Sequence, residues 1–241
     1  MDIKIYDKLA KKYDLATKIV SFGIEELWRW MFVGEIKKHI KNGVLIDVAS
    51  ATGEMAIALD FDEMYLIEPS REMNFISSEK LKMKNEKCEE WRIENLPNQP
   101  EWRIKCGKKE IIIIQDTAEN FRLEKKADLV TAFMALRNFD DLTKGVENIK
   151  NHIKPGGYFA IVEMVKSDSF LAKLILLYMN KIVPLIAGVM FGMKKEYKLL
   201  GKSIDSLNEE DLLKSLKGFS IVKKQKLIFP IATLIIAKRD D

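Results

Sequence analysis

The sequence predicts a single α/β domain on a doubly wound, mostly parallel, seven-stranded sheet that closes with an antiparallel hairpin. Three observations carry this expectation. Between residues 44 and 164, short apolar runs alternate with longer segments of helical periodicity. The first two runs end at acidic residues beside small-residue or proline turns, as strands that feed a ligand crevice do. The last two β-rich runs, 220–226 and 231–238, lie close enough to pair as a hairpin. A length of 241 residues suits one such domain, spanning 1–241, and is short for two.

Each element has its own signal. Tyr6, Leu9, Tyr13 and Ile19 recur at helical intervals and predict a helix over 5–20. A second helix, 24–40, stops before Asn42-Gly43. Val44 to Val48 is the first strand, Ala49 to Gly53 a small-residue turn, and Glu54 to Leu59 a helix start. Met64 to Ile67 forms the second strand, closed by Glu68-Pro69 and followed by a helix over 71–83. Strands three to five fall at Ile111–Ile114, Ala127–Phe133 and Tyr158–Met164, the last preceded by a helix over 141–153 and the turn Pro155-Gly156-Gly157. Asn208 caps a helix over 208–216.

Two segments exceed the repeat. In 84–110, Glu90-Trp91-Arg92-Ile93 and Glu101-Trp102-Arg103-Ile104 flank Leu96 to Pro100, which reads as a β-hairpin insertion. Cys88 and Cys106 then meet across it, either reduced or as a disulfide. Residues 167–204 are apolar and helical, and read equally as a lid or as a homodimer face. Lys173, Asn180, Lys181 and Pro184 interrupt the stretch 170–193 and argue against a bilayer span.

Composition narrows the function. A net charge of +4, from 40 basic and 36 acidic residues, gives no case for a nucleic-acid partner. Two histidines and two cysteines without a C-x-x-C pair make a metal site of the usual ligand number unexpected. Residues 1–10 are charged and lack the apolar centre of a leader peptide, so a cytoplasmic enzyme is the default expectation.

The chemistry concentrates at the first two strand ends. The turn Asp47-Val48-Ala49-Ser50-Ala51-Thr52-Gly53 lets backbone approach a ligand. Glu68, 21 positions after Asp47, is placed to accept both hydroxyl protons of a ribose. Together they define a nucleoside site for a dinucleotide or for S-adenosylmethionine. The turn has one glycine, Gly53, and no G-x-G-x-x-G. Asp47 opposes a pyrophosphate and suits a cationic amino acid, which favours S-adenosylmethionine. Asp116-Thr117-Ala118-Glu119 follows the third strand, where an adenine edge is held. Asp116 and Thr117 compete for that role, and either reads equally as a turn residue.

At this point the sequence resembles the ubiquinone/menaquinone biosynthesis C-methyltransferases, which have a Rossmann-like methyltransferase fold. The resemblance rests on Tyr6-Asp7-x-x-Ala10-x-x-Tyr13-Asp14, Ser21-Phe22-Gly23, Leu27-Trp28-Arg29, the Asp47–Gly53 turn and Leu136-Arg137-Asn138. It extends to Lys154-Pro155-Gly156-Gly157 with a strand reaching Glu163, and to Tyr197–Ser203. It implies S-adenosylmethionine as cofactor and S-adenosylhomocysteine as product. The implied cofactor contacts are Thr52, Glu68, Thr117, Ala118 and Phe133, with Asp47 and Gly53 shaping the methionine end and Tyr13 closing over it; Ala49 and Asp116 are further candidates from their places in the two turns. It implies Arg137 and Asn138 as catalytic, with Arg137 acting by charge and water orientation, because guanidinium is a poor base. The implied acceptor is a small quinol-like ring, with or without a prenyl tail; Leu171, Leu174, Ile175, Leu177, Ile182 and Leu185 would line a channel for such a tail. Lys173, Lys181, Lys194 and Lys195 would then touch lipid head groups at the inner face of the membrane.

Some alternatives remain open. They are an O- or N-methyl acceptor, a cofactor-binding protein without turnover, a surface pairing of Arg137 with Asp140 or Asp141, and a plain core role for Tyr13. The chain departs from the family pattern at Ser50 and Ala51, where two glycines are usual, at Glu68, where Asp is usual, and at Phe133, where a polar residue is usual.

Overall fold

The computed structural model describes residues 3–84, 101–167, 169–228 and 231–241. Its sheet holds β1 (Val44–Val48), β2 (Glu63–Ile67), β3 (Glu101–Cys106), β4 (Lys109–Ile114), β5 (Ala127–Phe133), β6 (Ile153–Met164), β7 (Phe219–Lys226) and β8 (Ala232–Arg239). The strand order is β3-β4-β2-β1-β5-β6-β8-β7. The five strands from β4 to β6 run parallel, and antiparallel pairs form both edges. The doubly wound α/β prediction holds, with eight strands among the described residues where seven were expected.

The extra strand is β3. Glu101-Trp102-Arg103-Ile104 pairs with the next strand through a tight turn at Gly107 (φ 58°), setting Trp102 opposite Ile113 and Ile104 opposite Ile111. The two-residue connection, Gly107-Lys108, closes at little cost in chain entropy. The expected partner run 90–93, with Trp91 and Cys88, lies outside the described residues, as does the Cys106 side chain.

Helices α1 (Ile3–Leu9) and α2 (Tyr13–Val20) replace the single helix expected over 5–20. A 3₁₀ turn, Ala10–Lys12, joins them, and the backbone leaves helical geometry at Lys12 (φ −119°, ψ 1°). The apolar spacing runs through this break because Tyr6 and Tyr13 line one cavity. Helix α3 (Ile24–His39) precedes β1, and α4 (Glu54–Leu59), α5 (Arg71–Lys84) and α6 (Leu142–Asn151) connect the parallel strands. Asp141 caps α6 by accepting from the Lys144 N–H. Strand β6 begins before its expected start and includes Pro155. The missing N–H is tolerated because pairing with β8 starts only at Tyr158.

Successive strand residues face opposite sides of the sheet. Leu45, Met64 and Ile113 join Trp28 and Phe32 of α3 on one face. Ile46, Val130 and Ile161 join Phe121 and Val146 on the other. A third, smaller core lies above the sheet. It packs Leu9 and Ala16 of the N-terminal helices against Val183, Ala187 and Tyr197. Those last residues belong to a long helical run: α7 (Phe170–Leu177), a π-helical turn (Tyr178–Ile182), α8 (Val183–Phe191) and then α9 (Lys194–Ser203). The π turn lies directly ahead of Pro184, which cannot supply an intrahelical N–H. Helix α10 (Glu209–Ser215) is capped by Asn208, whose side chain accepts from the Asp211 N–H.

Candidate active site

The carboxyl ends of β1, β2, β4 and β5 open on a cavity of about 460 Å³, roofed by α1, α2, α7 and α9. That volume lies in the range of small-molecule sites. A recess of about 50 Å³ adjoins it over the β1 turn. The two share Tyr13, Glu25, Ala49, Ala51, Phe133 and Met134, which form the passage between them.

The β1 turn is wound tightly. Ala49 (φ 53°), Ala51 (φ 47°) and Gly53 (φ 80°) all take left-handed backbone. For each alanine that conformation costs about 1–2 kcal/mol. Gly53 itself lies away from the cavity. A Cβ there would come within 2.4 Å of Ser77 Oγ, so its bareness lets α4 start against α5.

Asp47 and Thr131 are opposed in the β1–β5 register, and the Thr131 hydroxyl donates to Asp47 Oδ1 at 2.7 Å. Asp47 Oδ2 is buried without a partner. Burial pushes this carboxyl up to about 7, against the pull of the Thr131 hydrogen bond and the Arg29 charge. Glu68 is also buried. Its two oxygens accept from the N–H groups of Ala51 (3.0 Å) and Ser70 (2.9 Å). Desolvation raises it to about 7 as well; the two backbone donors oppose this, while Asp47 and Asp7 add to it. A carboxylate has about four acceptor positions, so Glu68 keeps capacity toward the cavity that it lines.

Of the other residues singled out in the sequence, Thr117, Ala118 and Phe133 line the cavity. Asp116 instead closes its own turn, accepting the Thr117 N–H at 2.7 Å, and does not line the cavity. Thr52 faces the recess, and its hydroxyl donates to Asp14 Oδ1 at 2.6 Å. Arg137 and Asn138 both line the cavity from a 3₁₀ turn after β5. Arg137 does not take the surface pairing with Asp140 or Asp141. Its guanidinium forms an ion pair with the fully buried Glu163 of β6, and its Nε–H donates to Ser203 Oγ at 3.3 Å. Leu174 and Ile175 line the cavity, whereas Leu171, Leu177, Ile182 and Leu185 point outward and do not form a channel. Burial dictates that division, because the inner face of the helix is already filled by Ala172, Val183 and Ala187.

Sequence reasoning gave no role to Glu163, Glu25 or Arg29. Glu25 and Arg29 pair at 2.8 Å, and the i,i+4 spacing of opposite charges was the available signal. Arg29 also reaches Glu54 (3.3 Å) and lies over the Phe133 ring, 5.7 Å from its centroid, while its Nε is buried without a partner. Burial raises the Glu25 carboxyl above its ordinary range, and Arg29 opposes that rise. The phenols of Tyr6, Tyr13 and Tyr197 are likewise raised by burial in the cavity wall.

A doubly wound sheet with buried acids at the ends of its first two strands, beside an apolar cavity, defines the class of S-adenosylmethionine-dependent methyltransferases. Solved structures support that fold. The chain superposes on an S-adenosylmethionine-dependent methyltransferase from Thermotoga maritima with a TM-score of 0.63 at 15% identity, covering 98% of this chain and 99% of that one. A methyltransferase from Clostridium acetobutylicum gives 0.63 at 13% identity, with 96% and 98% covered. Residues 3–239 match the model of the ubiE/COQ5 methyltransferase family, and the chain belongs to that family. Among curated relatives, a demethylmenaquinone methyltransferase of Bacteroides fragilis is 25% identical over 98% of this chain and 91% of its own length. A ubiquinone/menaquinone biosynthesis C-methyltransferase of Campylobacter jejuni is also 25% identical, over 98% and 97%.

Proposed function

We propose that this methyltransferase moves a methyl group from S-adenosylmethionine to a ring carbon of a small, quinol-like aromatic acceptor. One observation carries the reading: a polar recess holding the unpartnered Asp47 oxygen and the Arg29 guanidinium opens into a larger cavity, of which Arg137 forms part of the wall. The recess offers an anion and a cation, which suits the ammonium and carboxylate of a methionyl end. Glu68 suits the ribose hydroxyls, and Thr117 with Ala118 the adenine side. Ala49, Thr52 and Gly53 shape the turn, and Tyr13 and Phe133 flank the passage. The residues present therefore fit the cofactor, which when bound supplies a methyl group already activated on a sulfonium.

The chain's own part is alignment and charge. Arg137, fixed by Glu163, faces the charge that develops on a phenolic oxygen, and Asn138 stands beside it. Glu25 at the passage is the carboxylate suited to take the phenolic proton, since its raised pKa brings it nearer neutrality. The bound cofactor would supply the methyl from its sulfonium; the proton displaced from the ring carbon would pass to water, and Glu25 would return its own proton to the phenolic oxygen. Helices α7 to α9 serve as the lid that keeps water out.

Incubation with S-adenosylmethionine and 1,4-naphthoquinol, followed by mass spectrometry and proton NMR, tests the reading. The expected product is methylated on carbon. A methyl on oxygen overturns the carbon assignment, and an absence of S-adenosylhomocysteine binding at millimolar ligand overturns the function.

A further inference from the structure

Helix residues 170–191 have two contrasting faces. Ala172, Val183 and Ala187 are completely buried, and the Tyr178 hydroxyl donates to the Val20 carbonyl at 2.8 Å. The opposite face shows Phe170, Leu174, Leu177, Ile182, Leu185 and Val189 to solvent, with Phe170 at 78% and Val189 at 81% exposure. These positions follow one another by about one helical turn, so they form a single stripe. By length and apolarity (22 residues, mean hydropathy 1.9) the helix passes for a bilayer span. Ala172, Val183 and Ala187 pack its inner face against the domain.

Charge completes the pattern. Residues 170–191 contain Lys173 and Lys181 and no acidic residue. Lys194, Lys195, Lys198 and Lys202 follow, and the single acid among them, Glu196, is occupied by Lys8. Lys12 of the neighbouring turn sits 6.0 Å over the Phe191 ring. The stripe also runs into the rim of the cavity. Leu174 belongs to both, and Phe22, 75% exposed, lines the cavity with its ring centroid 6.1 Å from that of Tyr178.

We infer that this lysine-edged apolar face docks on the surface of an anionic lipid bilayer, lying in the interface with the cavity rim turned toward the acyl chains. Apolar side chains enter the head-group boundary while lysines meet lipid phosphates, the arrangement of an interfacial helix. An apolar acceptor then reaches the cavity from the lipid without crossing water. That last clause rests on the function proposed above, whereas the docking itself does not.

The test uses the full chain with phosphatidylglycerol-containing vesicles and with pure phosphatidylcholine vesicles, at low and high salt. Cosedimentation should favour the anionic vesicles and weaken as salt rises. The triple variant Leu177→Gln/Leu185→Gln/Val189→Gln alters no residue that lines the cavity. It should bind vesicles about tenfold or more weakly, on the scale of losing several buried apolar groups, with unchanged S-adenosylhomocysteine affinity by calorimetry. Lys173→Gln/Lys181→Gln should lower the preference for anionic lipid. No cosedimentation at low salt, equal binding to both vesicle types, or equal binding by the triple variant overturns the inference. So does a lipid-free dimer that the triple variant dissolves, which assigns the face to a second copy. Vesicle binding by a chain that fails to bind S-adenosylhomocysteine would reject the proposed function and leave the docking surface standing.

Discussion

Asp47 and Glu68 are carboxyls that folding makes weaker acids. Unfolded, they titrate near 4, whereas in the fold both stand at about 7. Between those values the folded chain holds more protons than the unfolded one. Stability therefore falls as pH rises from about 4 to 7, and levels off above that. Asp47→Asn should flatten part of this slope in denaturant titrations across that window. A charged partner at Asp47 Oδ2 draws the ionised form, so S-adenosylhomocysteine affinity should rise with pH up to about 7. The same Asp47→Asn change should weaken it by roughly ten- to a hundredfold, the scale of one charged hydrogen bond. Affinity that is flat with pH and untouched by the substitution would remove Asp47 from the site. Arg137 couples function to stability. Arg137→Ala strands the buried Glu163 and should destabilise the chain by about 3–5 kcal/mol, while Arg137→Gln/Glu163→Gln, which removes both charges, should lose less in thermal melts. If the double variant is the less stable, the pair is not what holds this corner together.

At the scale of elements, the β1 turn is shaped by its neighbours. Gly53 allows α4 to start against α5 only because it has no Cβ to meet Ser77. Gly53→Ala adds both left-handed strain and overlap, and should lower stability by about 1–3 kcal/mol. Ser77→Ala in that background should recover the overlap share and leave the strain, which a double-mutant cycle reads directly. Additive losses would mean that the two residues do not press on each other. The helical run 170–191 is held on one face, by the small core it shares with α1 and α2 and, around Ala172, by the larger core that contains Trp28 and Phe32. Its outward side is what the sequence alone misreads as a channel lining.

For the whole molecule, the site is assembled from distant segments: α1 to α3, the first two strand ends, the β5 turn and the lid helices. A ligand that joins them stabilises the fold by mass action. S-adenosylhomocysteine at a hundred times its dissociation constant adds about 2.7 kcal/mol. For a chain of this size that corresponds to a rise in Tm of roughly 5–11 °C by scanning fluorimetry. An unmoved melting curve at millimolar ligand would contradict the site.

The sequence by itself determined the strand and helix alternation, the acids at the ends of β1 and β2, and the family resemblance now matched across residues 3–239. These are local signals: hydrophobic period, turn residues and motif spacing act over a few neighbours in the chain. Only the tertiary structure decided that Arg137 pairs with Glu163 rather than with nearby Asp140 or Asp141, and that Asp116 closes a turn while Thr117 faces the cavity. It also decided that Glu25 and Arg29 stand at the passage, and which face of 170–191 is bare. The physical reason is burial. Removing charges and apolar surface from water depends on which remote segments cover them, and local sequence spacing carries little of that.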